Sequence, residues 1–222
     1  MLTWGPFLQQ ESLAEEPQID LIVLVPDVDW EQTVRTLLTD RVPALGIRKI
    51  EFDVIRHPNH DPGVRTGARA LLQTYVGNAR YAMACADHEG SGHHGPADAL
   101  AADIESSLRG DWGNRCAAVV VEPELERWVW SPSPNVAEAL GWGTNDELRR
   151  YLEDHGMVTP GETKPSRPKE AMLAAMREKG KRRSPAVFVD LARTVSLATC
   201  SDPTFEGFRN RLRLWFPPIG SS

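Results

Sequence analysis

The chain alternates continuous apolar runs with stretches whose apolar residues return every three or four positions. Ile19 to Val25 (IDLIVLV) is a run of the first kind, as expected of a strand buried on both faces. It ends at Pro26-Asp27-Val28-Asp29. Asp29, with Gln32 three residues on, suits a helix N-cap and capping box, and Val34, Leu37 and Leu38 give the following helix its apolar face. Ile50, Phe52 and Val54 at period two predict a second strand, which runs out into a loop from Arg56 to Gly63. A helix is expected from Val64 to Val76, with Ala68, Leu71, Leu72 and Tyr75 inward and Gly77 as its stop. Tyr81 to Ala86 reads as a third strand, followed by a Gly- and His-rich loop and a helix from Ala97 to Leu108 closed by Gly110. Cys116 to Val121 (CAAVVV) is the fourth strand. Such alternation predicts an α/β fold, a mostly parallel four-stranded sheet flanked by helices on both faces.

From Ser131 onward only helical patterns remain. Thr144 and Glu147 form a capping box opening a helix to His155, stopped by Gly156. Met157 to Arg167 is polar and rich in Pro and Gly, hence a loop. Pro168 to Lys179 is a helix with Met172, Leu173 and Met176 inward. Ser184-Pro185 and Asp202-Pro203 each place an N-cap before a first-turn Pro. The expected organisation is an N-terminal arm over 1–18, an α/β core over 19–130 and a helical C-terminal part over 131–222 packed on that core.

Composition narrows the function classes. With 222 residues, 41% hydrophobic and 25% charged, the chain can bury one sizeable core and is not a disordered protein. Its apolar runs are too short to cross a bilayer, and acids stand near the N-terminus where a signal peptide carries bases. No membrane association and a cytoplasmic location are expected. Three cysteines without CxxC spacing read as reduced, packed thiols. A net charge of -6 argues against coating nucleic acid by bulk charge. A local basic patch remains: Lys179, Lys181, Arg182 and Arg183, with Lys164, Arg167 and Lys169 upstream. It reads either as a solvated helix end or, through Lys169, Lys181, Arg182 and Arg183, as a nucleic-acid contact.

The candidate chemistry is acidic. Asp27 and Asp29 follow the first strand, Asp87 and Glu89 the third, and Glu122, Glu124 and Glu126 the fourth. In a parallel sheet these ends share one edge, where open α/β sheets bind ligands. Two carboxylates about 4 Å apart repel by roughly 4 kcal/mol at an effective dielectric of 20, so the Asp87–Glu89 pair calls for a proton or a cation. Mg²⁺ or Mn²⁺ fits the oxygen donors. Structural alternatives exist for Asp29, as a helix cap, and for Glu126, as the start of a helix. His57, His60 and Asp61, with His88, His93 and His94, also reach this edge and could hold Zn²⁺ or Mn²⁺ or act as acid or base. Their spacing matches no zinc signature. P-loop and GxSxG patterns do not occur.

The segment Val25 to Glu31 (VPDVDWE) resembles the first motif of the Toprim domain of topoisomerases, primases and related nucleases, and Ala86 to Gly90 (ADHEG) resembles its later Asp-x-Asp motif. Glu122 to Trp130 (EPELERWVW), Pro168 to Glu170 (PKE) and Cys200 to Arg209 (CSDPTFEGFR) resemble small Toprim-like bacterial proteins linked to phage defence, including methylation-associated systems. The resemblance implies a Toprim-like fold and Mg²⁺-dependent phosphoryl transfer. Pro26 stands where the family carries its catalytic Glu, so either Asp27 substitutes or the first motif is inactive. Two functions follow. In a metal-dependent nuclease, Asp87 and Glu89 hold the cation, Asp27 or Glu124 completes the shell, and His88 or Glu126 assists proton transfer. In a catalytically degenerate subunit, the chain binds nucleic acid or another defence-system protein, with Trp112 and Trp142, both in predicted loops, as exposed anchors.

Overall fold

The computed structural model describes residues 17–131, 133–197, 200 and 202–220; most of the expected N-terminal arm lies outside them. Strands β1 (Ile19–Val25), β2 (Phe52–Arg56), β3 (Ala79–Asp87) and β4 (Cys116–Val121) form one sheet in the order β2-β1-β3-β4. Every neighbouring pair is parallel, with Val23 opposite both Val54 and Met83, and Asp87 opposite Val121. The C-terminal ends of all four strands therefore share one edge.

The helices are α1 (Val28–Asp40), α2 (Val42–Leu45), α3 (His60–Leu72) with a 3₁₀ turn at Gln73–Tyr75, α4 (Ala97–Trp112), α5 (Glu126–Val129), α6 (Pro134–Ala139), α7 (Asn145–Asp154), α8 (Pro168–Glu178), α9 (Pro185–Thr194) and α10 (Pro203–Trp215). Alternate strand residues feed two cores. Ile22, Leu24, Ala82, Ala84 and Ala86 pack with Val64 and Leu72 of α3 and Leu100 and Ile104 of α4. On the opposite face Leu21, Val23, Val25, Met83 and Cys85 pack with Trp30 and Leu37 of α1, Met176 of α8, Phe188 of α9 and Phe208 of α10. The segment after β4 thus shares a core with the sheet.

Several boundaries moved for identifiable reasons. Asp27, not Asp29, caps α1: its backbone is extended and its Oδ1 accepts the Trp30 N–H at 2.9 Å. Asp29 lies in the first turn, drawn inward to Arg183. Helix α3 starts at His60, four residues earlier than expected, because Pro62 sits in a first turn whose N–H groups need no helical partner. Helix α4 runs through Gly110 to the buried Trp112 and ends at Gly113, whose φ of 57° is open to glycine. Helices α2, α5 and α6 are too short to show a periodicity. Trp112 and Trp142 are both buried, and Trp142 Nε1 donates to Ala175 O at 3.1 Å, so neither is an exposed anchor. Cys85, Cys116 and Cys200 are buried and unpaired. Among the described residues no helix is long and apolar enough to cross a membrane.

Candidate functional site

The turn after β1, the first turn of α3 and the end of β3 bring Asp27, Asp61 and Asp87 together. Asp87 closes β3 and is buried; its Oδ1 accepts the Trp30 Nε1–H at 2.8 Å and the Leu125 N–H at 2.9 Å. Its own N–H donates to Asp61 Oδ1 at 2.7 Å. Trp30 is fully buried and edge-on to Trp128, with centroids 5.2 Å apart, so the donor that fixes Asp87 is itself fixed. Burial drives the Asp87 carboxyl well above the usual carboxylate range. The charges of Asp61, Glu126 and Asp27 push the same way, and the Trp30 hydrogen bond pulls back. Asp61 is pushed up to about 6, first by burial and then by the Asp27 charge, against the hydrogen bond from Asp87. These acids crowd one another without a cationic side chain bonded to Asp61 or Asp87 among the described residues.

Local backbone holds this arrangement. The chain enters α3 through His60 in the left-handed region, with φ of 50°, a costly conformation for a side-chain-bearing residue. His60 Nδ1 lies 3.2 Å from the Pro26 carbonyl oxygen, tying the loop after β2 to the loop after β1. The His57 ring packs so closely on α3 that a Cβ at Gly63 would stand 2.0 Å from Nδ1; only glycine fits there.

A second group of acids is neutralised. Lys169, in the first turn of α8, donates from Nζ to Glu124 Oε2 at 3.0 Å and from its backbone N–H to Oε1 at 3.1 Å. Arg183, between α8 and α9, reaches Asp29 Oδ2 at 2.6 Å and Glu126 Oε1 at 3.0 Å. Burial pushes the Asp29 and Glu126 carboxyls up, and Arg183 and Lys169 pull both down. For Lys169 burial acts downward, but the Glu124 hydrogen bond and the charges of Glu126 and Glu124 outweigh it, so its ammonium is held above the usual value.

The edge therefore gathers Asp27, Asp29, Asp87, Glu124 and Glu126 as expected, and leaves out Glu89 and Glu122. Both are exposed, and neither side chain bonds to those acids among the described residues. The Asp87–Glu89 pair gives way to Asp87–Asp61. After His88 N–H bonds to Val121 O the chain turns, with Ser91 N–H on His88 O, and carries Glu89 outward. The His88 ring faces the glycine loop, its Nε2 2.8 Å from Gly95 O. In the basic patch Lys169 and Arg183 turn to acids, Lys181 Nζ donates to Ala139 O, and Arg182 is exposed. Asp61, grouped in the sequence with His57 and His60, bonds instead to the Asp87 N–H. Asp61-Pro62 lies inside the first turn of α3, after the Asn59 N-cap, unlike Asp202-Pro203, where Asp202 itself caps α10.

Among the described residues no group of three or more His, Cys, Asp or Glu side chains is placed to hold a metal ion unaided. The carboxylates brought together are Asp61 and the buried Asp87, with Asp27 beside them. Mg²⁺ is commonly held by one or two carboxylates, with water and phosphate oxygens filling the rest of its shell, and oxygen donors of this kind are the chemistry such a cation takes. Compared with protein-family models, curated proteins and solved structures, the chain matches none.

Proposed function

We propose that this edge is a site for cation-assisted phosphodiester cleavage and that the chain is a Toprim-like nuclease acting in antiviral defence. The observation that carries this reading is the Asp61–Asp87 pair: two acids joined through one backbone hydrogen bond, bonded to no cationic side chain and both driven upward, first by burial and then by the charge of Asp27 on Asp61 and of Asp61 on Asp87. Asp61 and Asp87 would hold Mg²⁺ or Mn²⁺, with water and substrate phosphate completing the shell and the charge of Asp27 beside them. The bound ion would polarise a phosphate and lower the pKa of a water.

The chain's own groups supply the rest. Lys169 and Arg183, from the helical C-terminal part, have side chains 41% and 33% exposed and can turn N–H donors from Glu124 and Glu126 toward phosphate oxygens. Glu126, raised by burial, is suited to deliver a proton to a leaving oxygen. The Toprim-like reading draws support from acids following β1 and β3, which are neighbours in the parallel sheet. The setting in defence rests on the sequence resemblance.

A degenerate subunit that binds nucleic acid or a protein partner is the second reading. It is favoured by Pro26 and by the pairing of Asp29, Glu124 and Glu126 with basic side chains. Calorimetric titration of Mg²⁺ and Mn²⁺ into wild type and Asp87→Asn, run beside a cleavage assay on single- and double-stranded DNA and RNA, separates the two. A nuclease shows cation uptake and Mn²⁺-dependent cleavage, both lost in Asp87→Asn. Uptake without cleavage of any substrate supports the degenerate subunit, and no uptake removes the cation site.

A further inference from the structure

Strand β4 ends the sheet, with β3 on one side and no strand on the other among the described residues. The ladder fixes which of its backbone groups are spoken for. Ala82 N–H donates to Arg115 O and His88 N–H to Val121 O, so the odd-numbered carbonyls face β3 and those of Ala118 and Val120 face outward. In the same phase, the Ala118 N–H turns outward to Glu105 Oε1 of α4 at 3.1 Å. The N–H and C=O of Val120 and the C=O of Ala118 have no partner among the described residues. Such a row is a template for another strand, and Cys116–Val121 carries neither the Lys nor the Pro that usually blunts an edge.

A groove of about 420 Å³ runs along this edge between α4 and α10. Its walls carry Ala101 and Gly207, small enough for close approach. Its two ends differ in charge. At the C-terminal end of β4 stand the exposed Glu122 and Asp98, neither in an ion pair among the described residues. Toward the other end Arg211 lies 3.9 Å from Glu105 Oε1, the atom that holds the Ala118 N–H. A groove acidic at one end and basic at the other is complementary to itself turned through a half-circle.

We infer that β4 is a dimerisation strand, pairing antiparallel with β4 of a second copy of this chain across a two-fold axis at Val120. Each Val120 N–H donates to the Val120 carbonyl of the other copy. Glu122 of each copy then lies opposite Ala118 of the other, beside that copy's Arg211. Ala118 N–H keeps its bond to Glu105, like-facing side chains stay on like faces, and both exposed β4 edges disappear into one continuous sheet. This pairing is independent of the chemistry proposed for the acid cluster.

Sedimentation equilibrium on the full chain tests it. Wild type is expected at twice the 24.7 kDa chain mass. Glu122→Arg and Arg211→Glu, each placing like charges together across the axis, are expected to weaken the dimer by about tenfold or more, and the two combined to restore it. Val120→Pro removes the outward N–H at a position where an edge strand accepts proline, and should leave a folded monomer by circular dichroism. A monomeric wild type overturns the inference and leaves the groove to a strand from another protein. A dimer indifferent to both single reversals, or a double reversal weaker than either single one, also overturns it.

Discussion

The acids at the C-terminal edge of the sheet fall into two groups that the fold treats differently. Asp29, Glu124 and Glu126 are buried and answered by Arg183 and Lys169. Asp61 and Asp87, one strand away, are held by N–H donors alone, and burial raises both. A buried carboxylate bonded to N–H donors but to no cation costs free energy in its charged form. The difference teaches where to look for function: the paired group is answered by basic side chains, whereas the unpaired group is where the proposed cation can be tested.

Removing the counter-charge should have the largest effect. Arg183→Leu strips Asp29 and Glu126 of their shared partner at once. Breaking a fully buried pair costs about 3–5 kcal/mol; with the Arg183 side chain 33% exposed, solvent screening reduces this to about 2–3 kcal/mol. Both orphaned carboxyls already sit above their ordinary values, so the fold can neutralise them by taking up protons. The loss measured by urea unfolding should therefore be smaller at about pH 5 than at about pH 7. An equal loss at both would mean that Arg183 acts through packing on Phe188, whose ring centre lies 5.3 Å from its guanidinium carbon.

Neutralising the unpaired group should change the sign. Asp61 rises from the ordinary 3.8 to about 6 in the fold, so the native state holds its proton more tightly than the unfolded chain does. The resulting penalty is absent below the lower value, grows as pH rises through this window and is complete above it. The gap corresponds to at most about 3 kcal/mol. Asp61→Asn keeps an acceptor for the Asp87 N–H and is expected to stabilise the chain by about 1–2 kcal/mol at about pH 7, with no gain at about pH 4. The same variant should lose Mn²⁺ binding by calorimetry. A destabilised Asp61→Asn at neutral pH would erase the distinction between the two groups.

Glu124→Gln should matter less. Gln keeps an acceptor for the Lys169 N–H, and the half-exposed Lys169 ammonium can return to water. A loss of about 0.5–1 kcal/mol is expected.

Much of this layout was legible in the sequence because strands buried on both faces are written as unbroken apolar runs. Ile19–Val25 and Cys116–Val121 match their strands end to end, and Thr144, Ser184 and Asp202 each mark a helix start. The gathering of Asp27, Asp87, Glu124 and Glu126 followed from strand direction alone. What pattern cannot give is the direction of a side chain after the last paired residue. Asp87 is still in the ladder and turns inward, and Glu89, two residues on, has left it. Nor does sequence announce long-range counter-ions. Lys169 and Arg183 read as a basic patch because their partners lie 45 and 57 residues away.

The smallest predicted effect on stability is the sharpest on mechanism. Asp27 both caps α1 through Oδ1 and adds its charge to the environment of Asp61 and Asp87. Removing the cap oxygen with Asp27→Ala should cost about 1 kcal/mol. Serine supplies a comparable cap oxygen without the charge, so Asp27→Ser should stay within about 0.5 kcal/mol of wild type in thermal or urea unfolding. If the unpaired acids await a cation, Asp27→Ser should nonetheless weaken Mn²⁺ binding, because it removes negative charge next to Asp61 and Asp87 without loosening the helix that carries Trp30. Unchanged Mn²⁺ affinity in Asp27→Ser, with the expected loss of stability in Asp27→Ala, would assign Asp27 to the helix alone and confine the cation site to the two carboxylates beyond it.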